Sequence, residues 1–285
     1  MIIALFPNRQ FKKSFEVAKD LKKLFSGKKI TLVAEDASAK ALNLPPLSKT
    51  PKTKVDFFIT FGGDGTILQL YHNYIDYKAS ILGINLGHLG FMADIPLKEY
   101  KSYFADFLKG KYVVEKRLVL KGMLGSKKCR AVNDIVLHRH NQPSLIELKV
   151  TIDGTYMNTF VADGIIVATP NGSTAYSLAA GGPILTPALD AFVITPICPH
   201  TISNRPFVVS AKHKVEIQYV GNKGPIEVRA DGLNGFPMKP KQKLILQKSN
   251  HIFRLVNLAK NDYFTTLRTK LDWSGATSRR LRKKG

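Results

Sequence analysis

A chain of 285 residues that is 44% hydrophobic can bury a full core, enough for one large or two medium domains. Its longest apolar runs, such as 165–168 and 191–197, are too short to span a bilayer, and two cysteines, Cys129 and Cys198, are too few for a disulfide framework. The net charge is +22, yet the basic residues are scattered and only the run Arg279 to Lys284 is a cluster, so neither nucleic-acid binding nor membrane attachment is expected as the main role.

Residues 1–6 are a continuous apolar run that meets Pro7, with no basic segment before it, and read as a strand rather than a signal peptide. Ser14 is placed to cap a helix whose apolar stripe is Val17, Ala18, Leu21, Leu24 and Phe25, with lysines opposite. Residues 30–33 read as the second strand, and the polar, proline-containing stretch 37–54 as a flexible excursion. Strand 55–61, helix 66–74, strand 80–85 and helix 97–108 follow. This alternation predicts an open, largely parallel sheet with helices on both faces. Ligands of such sheets bind outside the carboxyl ends of the strands, where residues 62–66 and 87–91 fall.

After Gly110 the texture changes to short runs of β-branched and aromatic residues at 112–120, 131–138, 146–152, 208–219, 226–229, 244–247 and 252–257. Turn signals separate them at Asp153-Gly154, Gly221-Asn222 and Asp231-Gly232. The pattern predicts an all-β second domain with one helical insertion near 173–180. Residues 263–271 are helical again, with Phe264, Leu267 and Leu271 as the stripe, and are expected to return to the first domain. The expected partition is therefore 1–108 plus 259–285 for the α/β domain and 109–258 for the β-rich one. With so few cysteines and no CxxC pair, a reducing cytoplasm is the expected home.

Three segments carry chemistry. In Gly62-Gly63-Asp64-Gly65-Thr66 a buried strand ends in three glycines within four residues and a helix follows. Glycines permit close approach of a phosphate, and the free N–H groups of the helix start face it. A carboxylate in such an anion-friendly turn needs a task, either holding a metal ion or taking a proton from an attacking hydroxyl. The plainer reading is a tight turn with Asp64 as the helix N-cap. No P-loop, no Rossmann fingerprint and no H-E-x-x-H is present. His138 and His140, two apart in a strand, share a face and lack a third ligand, which favours a surface pair over zinc.

The second segment, 163–183, places a buried strand between Asp163-Gly164 and Pro170-Asn171-Gly172-Ser173-Thr174, which opens a short helix. Ser173 and Thr174 offer hydroxyls and N–H groups there, and Tyr176 offers a ring for stacking. The pattern is not G-x-S-x-G, so a hydrolase nucleophile is not expected. The third is Asn133-Asp134, two polar residues in an apolar strand-like run, placed to cap a loop or to bind a base edge or ribose.

Together these segments resemble the NAD kinase family over nearly the whole chain: GGDGT at 62–66, GINLGHLGFM at 83–92, Asn133-Asp134, the 163–183 segment and the terminal LRTKLDWSG. GGDGT alone is shared with diacylglycerol, sphingosine and phosphofructokinase relatives; the 163–183 segment is the sharper identifier. The resemblance implies an N-terminal α/β domain completed by the C-terminal helix, a β-rich second domain, and the reaction ATP + NAD → ADP + NADP with a divalent metal such as Mg²⁺. It implies Asp64 as the catalytic carboxylate facing the adenosine 2′-hydroxyl, with Gly65 beside it and Gly62, Gly63 and Thr66 completing a phosphate-binding loop. It places Phe91 near the adenine, Asn133 and Asp134 near the riboses and Asp163 at the nicotinamide end. Asn171, with Thr174, Ala175, Tyr176, Ser177, Leu178 and Ala179, wraps the adenosine. A homodimer or homotetramer is implied, metal ligands are left unassigned, and polyphosphate stays open as an alternative donor.

The chain departs from the family pattern with Asp134 for the commoner Glu, Asn171 for Thr, Ala179 for Ser, and Leu233 after Asp231-Gly232 where Gln is frequent. None of these touches Asp64. A carboxylate with an ordinary pKa of ~4 cannot strip a sugar hydroxyl in the ground state, but it can orient the nucleophile and accept its proton late in a loose phosphoryl transfer. Two rival readings are carried: a lipid kinase of the diacylglycerol or sphingosine type, sharing the GGDGT loop, and a non-enzymatic nucleotide-binding module.

Overall fold

The computed structural model describes residues 1–87, 90–93, 95–141, 143–233, 235–258 and 262–273. His88 and Leu89 of the GINLGHLGFM stretch, the end of LRTKLDWSG and the basic cluster from Arg279 lie outside the described residues.

The chain opens with β1 (Ile2–Phe6), α1 (Lys12–Phe25), β2 (Thr31–Ala34) and α2 (Asp36–Leu42), followed by two 3-10 turns, Leu47–Lys49 and Lys52–Lys54. Then come β3 (Phe57–Phe61), α3 (Asp64–Tyr74), β4 (Ser80–Asn85), β5 (Ile95–Pro96), α4 (Tyr100–Leu108) and β6 (Val113–Arg117). The β-rich run is β7 (Leu120–Leu124), β8 (Lys127–Ala131), β9 (Asp134–His138), β10 (Ile146–Ile152), β11 (Thr155–Ala162) and β12 (Gly164–Ala168). After α5 (Tyr176–Ala179) it continues with β13 (Ala191–Ile197), β14 (Phe207–Ser210), β15 (Val215–Tyr219), β16 (Ile226–Ala230), β17 (Phe236–Met238) and β18 (Lys243–Lys248). β19 (Phe253–Asn257) and α6 (Tyr263–Lys270) close the described chain.

Two compact units result, Met1–Glu115 with the chain from Arg254 onward, and Lys116–Phe253. In the first, a seven-stranded sheet has the order β2-β1-β3-β4-β19-β6, with β5 also on β4. The pairs β1–β2, β1–β3, β3–β4, β4–β5 and β4–β19 are parallel. Every residue of β3 and β4 is buried, as strands covered on both faces require. On one face Val17, Leu21 and Phe25 of α1 and Phe104 and Phe107 of α4 pack on Ile3, Leu5, Ile59 and Leu82. On the other, Phe58 meets Phe6 and Tyr74, the last residue of α3, with ring centroids 4.9 and 5.9 Å apart. The open, largely parallel sheet expected from the sequence is therefore present.

Three local expectations are corrected. Ser14 does not cap α1: the helix starts two residues earlier, and the buried Ser14 Oγ donates to Asn8 O at 3.1 Å, tying down the preceding loop. Residues 37–54 are not a flexible excursion. Ala39, Leu42 and Leu47 are buried, Asn43 ends α2 in the left-handed region at φ 49°, and Lys22 Nζ donates to Leu42 O and Asn43 O at 3.0 and 2.8 Å. In α6, Leu267 is buried but Phe264 faces solvent. That helix is capped by Asp262, whose Oδ1 accepts the Thr265 N–H at 2.8 Å.

The second unit contains two six-stranded sheets, β11-β10-β15-β18-β7-β8 and β14-β13-β12-β9-β16-β17. All their recorded pairs are antiparallel. Ile135, Leu137, Ile165 and Val167 of one sheet share a core with Leu148, Val150, Ile217 and Leu246 of the other. The alternate residues Val136, Ile166, Ala168 and Val193 face outward and are covered by Leu185, from the chain that follows α5. The Asp153-Gly154 turn takes positive φ at both positions, 49° and 85°, as a two-residue hairpin turn demands, and Asp231-Gly232, at 52° and 67°, does so at the start of the longer connection from β16 to β17. The single run expected at 208–219 is two strands, β14 and β15. Among the described residues no helix is long and apolar enough to cross a membrane.

Phe104 is fully buried and its ring lies 5.6 Å from that of Phe25. Phe104→Ala is expected to cost about 3–5 kcal/mol of unfolding free energy, as large aromatic truncations in cores do. Chemical denaturation of the two proteins measures it, and a cost below about 1 kcal/mol contradicts this packing.

Candidate active site

The loop after β3 is built by its neighbours. A Cβ on Gly62 would run into the Thr66 hydroxyl, so glycine there lets the first turn of α3 close against the strand end. Gly63 and Gly65 have nothing within 4 Å of a Cβ position, leaving their backbone open to an incoming group. Gly63, not Asp64, is the N-cap residue, and it caps with no side chain. The Thr66 N–H turns back to Gly63 O at 3.0 Å, which leaves the N–H groups of Asp64 and Gly65 without an acceptor among the described residues. Those donors sit at the positive end of an 11-residue helix, a ready anion site.

Asp64 has a different task from capping. Its Oδ2 accepts the Phe91 N–H at 2.8 Å, and its Oδ1 accepts those of Met92 and Ala93 at 3.0 and 2.9 Å. A Cβ on Gly90 would collide with the same carboxylate. Asp64 thus joins the glycine-rich loop to the 90–93 turn and fixes its own orientation in doing so. Phe91 is held by that grip, its ring 6.5 Å from that of Tyr263 and 5.4 Å from Lys270 Nζ, both on α6. Beside the loop, at the carboxyl ends of β1 and β3, a polar cavity of 510 Å³ is lined by Asn8, Arg9, Glu35, Thr60, Thr66 and Asn73, among others. The Thr60 hydroxyl is fully buried there and has no hydrogen-bond partner among the described residues.

The second unit carries its own constellation. β8 ends at Ala131 and β9 begins at Asp134, so Asn133 sits in a corner rather than inside one continuous strand. The Asp231 carboxylate makes that corner by accepting the N–H groups of Val132, Asn133 and Asp134 at 2.8, 2.7 and 3.2 Å. Asp231 N–H returns a bond to Asp134 O at 2.9 Å. From the other side Thr169 N–H reaches Asn133 O at 2.8 Å, and Gly172 lies so close that a Cβ would strike the Asn133 carbonyl. Asn171 Nδ2 donates to Asn133 Oδ1 at 2.6 Å, while Arg117 Nη1 donates to Asn171 Oδ1.

Of the residues expected in the site, Asn133, Asp134, Ala175 and Tyr176 line one open cavity of 470 Å³, and Asn171 joins it through Asn133. Asp163 lies past the opposite end of β12, paired with Arg139 at 2.8 Å. Ser173 and Ser177 are turned inward. Ser173 Oγ bonds Pro170 O and the Leu185 N–H at 2.7 and 2.9 Å, and Ser177 Oγ lies 2.9 Å from Thr195 Oγ1. Thr174 Oγ1 donates to Asn171 O at 3.3 Å; Leu178 and Ala179 belong to the single turn of α5. The cavity adds residues not singled out from the sequence, notably Glu227 and Arg229, whose side chains pair at 2.9 Å. His140 stands beyond β9 at φ 46°, 3.4 Å from Glu227, so it does not share a strand face with His138. Among the described residues no three His, Cys, Asp or Glu side chains gather as a metal cage.

Burial, then the nearby Asp231 charge, pushes the Asp134 carboxyl up to about 7. The folded chain keeps a proton that the unfolded chain has already lost, so between about pH 4 and 7 this group makes stability fall as pH rises. Asp134→Asn is expected to flatten that decline and to unfold at a higher temperature than the parent above about pH 7. Thermal unfolding across the window checks this, and an unchanged slope refutes it.

Comparison with known proteins draws the two units together. Residues 6–112 match the ATP-NAD kinase N-terminal domain and residues 132–258 the ATP-NAD kinase C-terminal domain. The NAD kinase of Protochlamydia amoebophila is 48% identical over 96% of this chain and 99% of its own length; that of Geotalea daltonii is 36% identical over 95% and 98%. The crystal structure of yeast NADH kinase complexed with NADH superposes with a TM-score of 0.84 at 26% identity, covering 97% of this chain and 89% of that one. An Archaeoglobus fulgidus NAD kinase in complex with ATP shares the fold, with a TM-score of 0.75 at 24% identity and coverage of 96% and 100%. These relatives give no support to the lipid-kinase or binding-module readings. With both domain models matched in order, and full-length relatives far above the identity at which a fold alone is shared, the chain belongs to the ATP-NAD kinase family of phosphotransferases.

Proposed function

We propose that this chain transfers the γ-phosphate of ATP to the 2′-hydroxyl of the adenosine ribose of NAD, giving NADP and ADP. The observation that carries the reading is the loop Gly62–Thr66, where N–H donors at a helix start, without an acceptor among the described residues, adjoin a carboxylate, Asp64, whose direction is set by three backbone N–H groups. Phosphoryl transfer asks a protein mainly to position and to stabilise charge, and this loop offers both. Asp64 orients the attacking hydroxyl and accepts its proton as the new P–O bond forms. The Gly65 N–H and the Thr66 region meet phosphate oxygens, and the polar cavity with Arg9 and Thr60 receives the donor nucleotide. Asn133, Asp134, Asn171 and the run Thr174 to Ala179 hold NAD, Phe91 packs near its adenine, and Asp163 serves the nicotinamide end.

A divalent cation, Mg²⁺, is part of the proposal as a companion of the triphosphate. The absence of a three-ligand cage among the described residues fits an ion bound chiefly by substrate phosphates, which is how Mg²⁺ commonly enters kinase sites. Its contribution is to neutralise phosphate charge. The chain is further proposed to act in the cytoplasm, in keeping with its two free thiols, and as a homo-oligomer.

Purified protein with Mg²⁺, ATP and NAD is expected to yield NADP, read by an NADP-specific dehydrogenase. Asp64→Asn is expected to keep NAD affinity while lowering turnover by about 10² or more, the usual cost of losing a general base. NADP formation by the variant at the parent's rate would remove Asp64 from its role.

A further inference from the structure

We propose that Arg117 is a positioning residue that decides which end of the Asn133 amide faces the cavity. The site thereby presents a hydrogen-bond donor and takes an accepting atom of the dinucleotide. The inference rests on the NAD-binding reading above and concerns a residue that the sequence did not single out.

A guanidinium carries N–H donors and no acceptor, so an amide facing it must offer its oxygen. Arg117, 8% exposed, donates to Asn171 Oδ1, and Asn171 is itself only 7% exposed. Turning that amide over would set donor against donor in a place water cannot repair, a costly arrangement. The Asn171 NH₂ is therefore forced toward Asn133, and it meets Oδ1 there at 2.6 Å. Asn133 then has its carbonyl on the Asn171 side. Its own NH₂ projects from the other end of the same planar group and has no partner among the described residues, while the residue lines the 470 Å³ cavity. The corner backbone is pinned by Asp231 from one side and by Thr169 and Gly172 from the other, so the corner itself does not shift to relieve a mismatch. The polarity set by Arg117 is thus relayed through two amides to the ligand face. The partner it selects is an acceptor, such as a ring nitrogen or an oxygen of NAD.

Asn171→Asp tests this directly, because it keeps size and an acceptor for Arg117 but offers no donor to Asn133. The Asn133 NH₂ then turns toward the new carboxylate and its oxygen faces the cavity. Calorimetric Kd for NAD, with KM, kcat and the unfolding midpoint, is measured for the parent, Asn171→Asp, Arg117→Met and Arg117→Lys. The expected result is about a tenfold or greater rise in Kd and KM for Asn171→Asp and Arg117→Met, with kcat changed less than about threefold. The midpoint of Asn171→Asp does not fall, since it gains an ion pair, and Arg117→Lys recovers most of the affinity. If Arg117→Met fails to fold, Asn171→Asp alone decides. The proposal is overturned if Asn171→Asp binds NAD like the parent, or if Arg117→Met lowers kcat and the midpoint together with Kd unchanged. A parent that binds NAD without phosphorylating it defeats the functional reading and leaves this test intact on Kd; a parent that does not bind NAD defeats both.

Discussion

The grip of the Asp64 carboxylate on three successive N–H groups is the interaction on which the first unit's candidate site depends. A carboxylate at the start of a helix is favoured by the helix's positive end, and here it also satisfies the donors of Phe91, Met92 and Ala93. Glycine at position 90 leaves room for it, and glycine at position 62 lets the Thr66 side chain settle against the strand end. The glycines around this site thus serve two ends: Gly62 and Gly90 admit a neighbouring side chain of the chain itself, while Gly63 and Gly65 leave backbone open to a ligand.

The second unit reaches the same end by another route. Its candidate site hangs on a carboxylate that faces inward, Asp231, which gathers the N–H groups of a strand corner and so presents Asn133 and Asp134 to a cavity. One consequence is electrostatic, since the buried Asp134 beside Asp231 retains its proton up to about pH 7. The short arm of Asp134 keeps its carboxyl close to the corner, where burial acts on it. Each unit thus uses a carboxylate clamped on backbone N–H groups as its organising device.

Much of this was legible in the sequence. The unbroken apolar runs of β3 and β4 announce buried parallel strands, and the Asp-Gly pairs announce hairpin turns, because in both cases the signal is local. Ser14 misled for the same reason: serine near a helix start reads as a cap, whereas its hydroxyl is spent on Asn8 in the loop before. The helix α2 was hidden because it is short, with only Ala39 and Leu42 facing the apolar core, and its end is tied by a lysine 20 residues earlier in the chain, Lys22. Arg117 was beyond reach altogether as part of the site, and Asp231 was legible as a turn residue but not as the clamp of the corner, since their partners lie 54 and 99 residues away along the chain. Such contacts leave no spacing pattern to read.

In the proposed reading, the direction of the Asp64 carboxylate, and not merely its presence, makes the phosphoryl-transfer site. Gly90→Ala addresses that claim directly, because the added methyl would displace the carboxylate while leaving Asp64 in place. Steady-state NADP formation by this variant, measured beside its unfolding midpoint, is expected to show kcat reduced by about tenfold or more with the fold intact. Parent-like kcat in a folded Gly90→Ala protein would contradict that role of the carboxylate's direction.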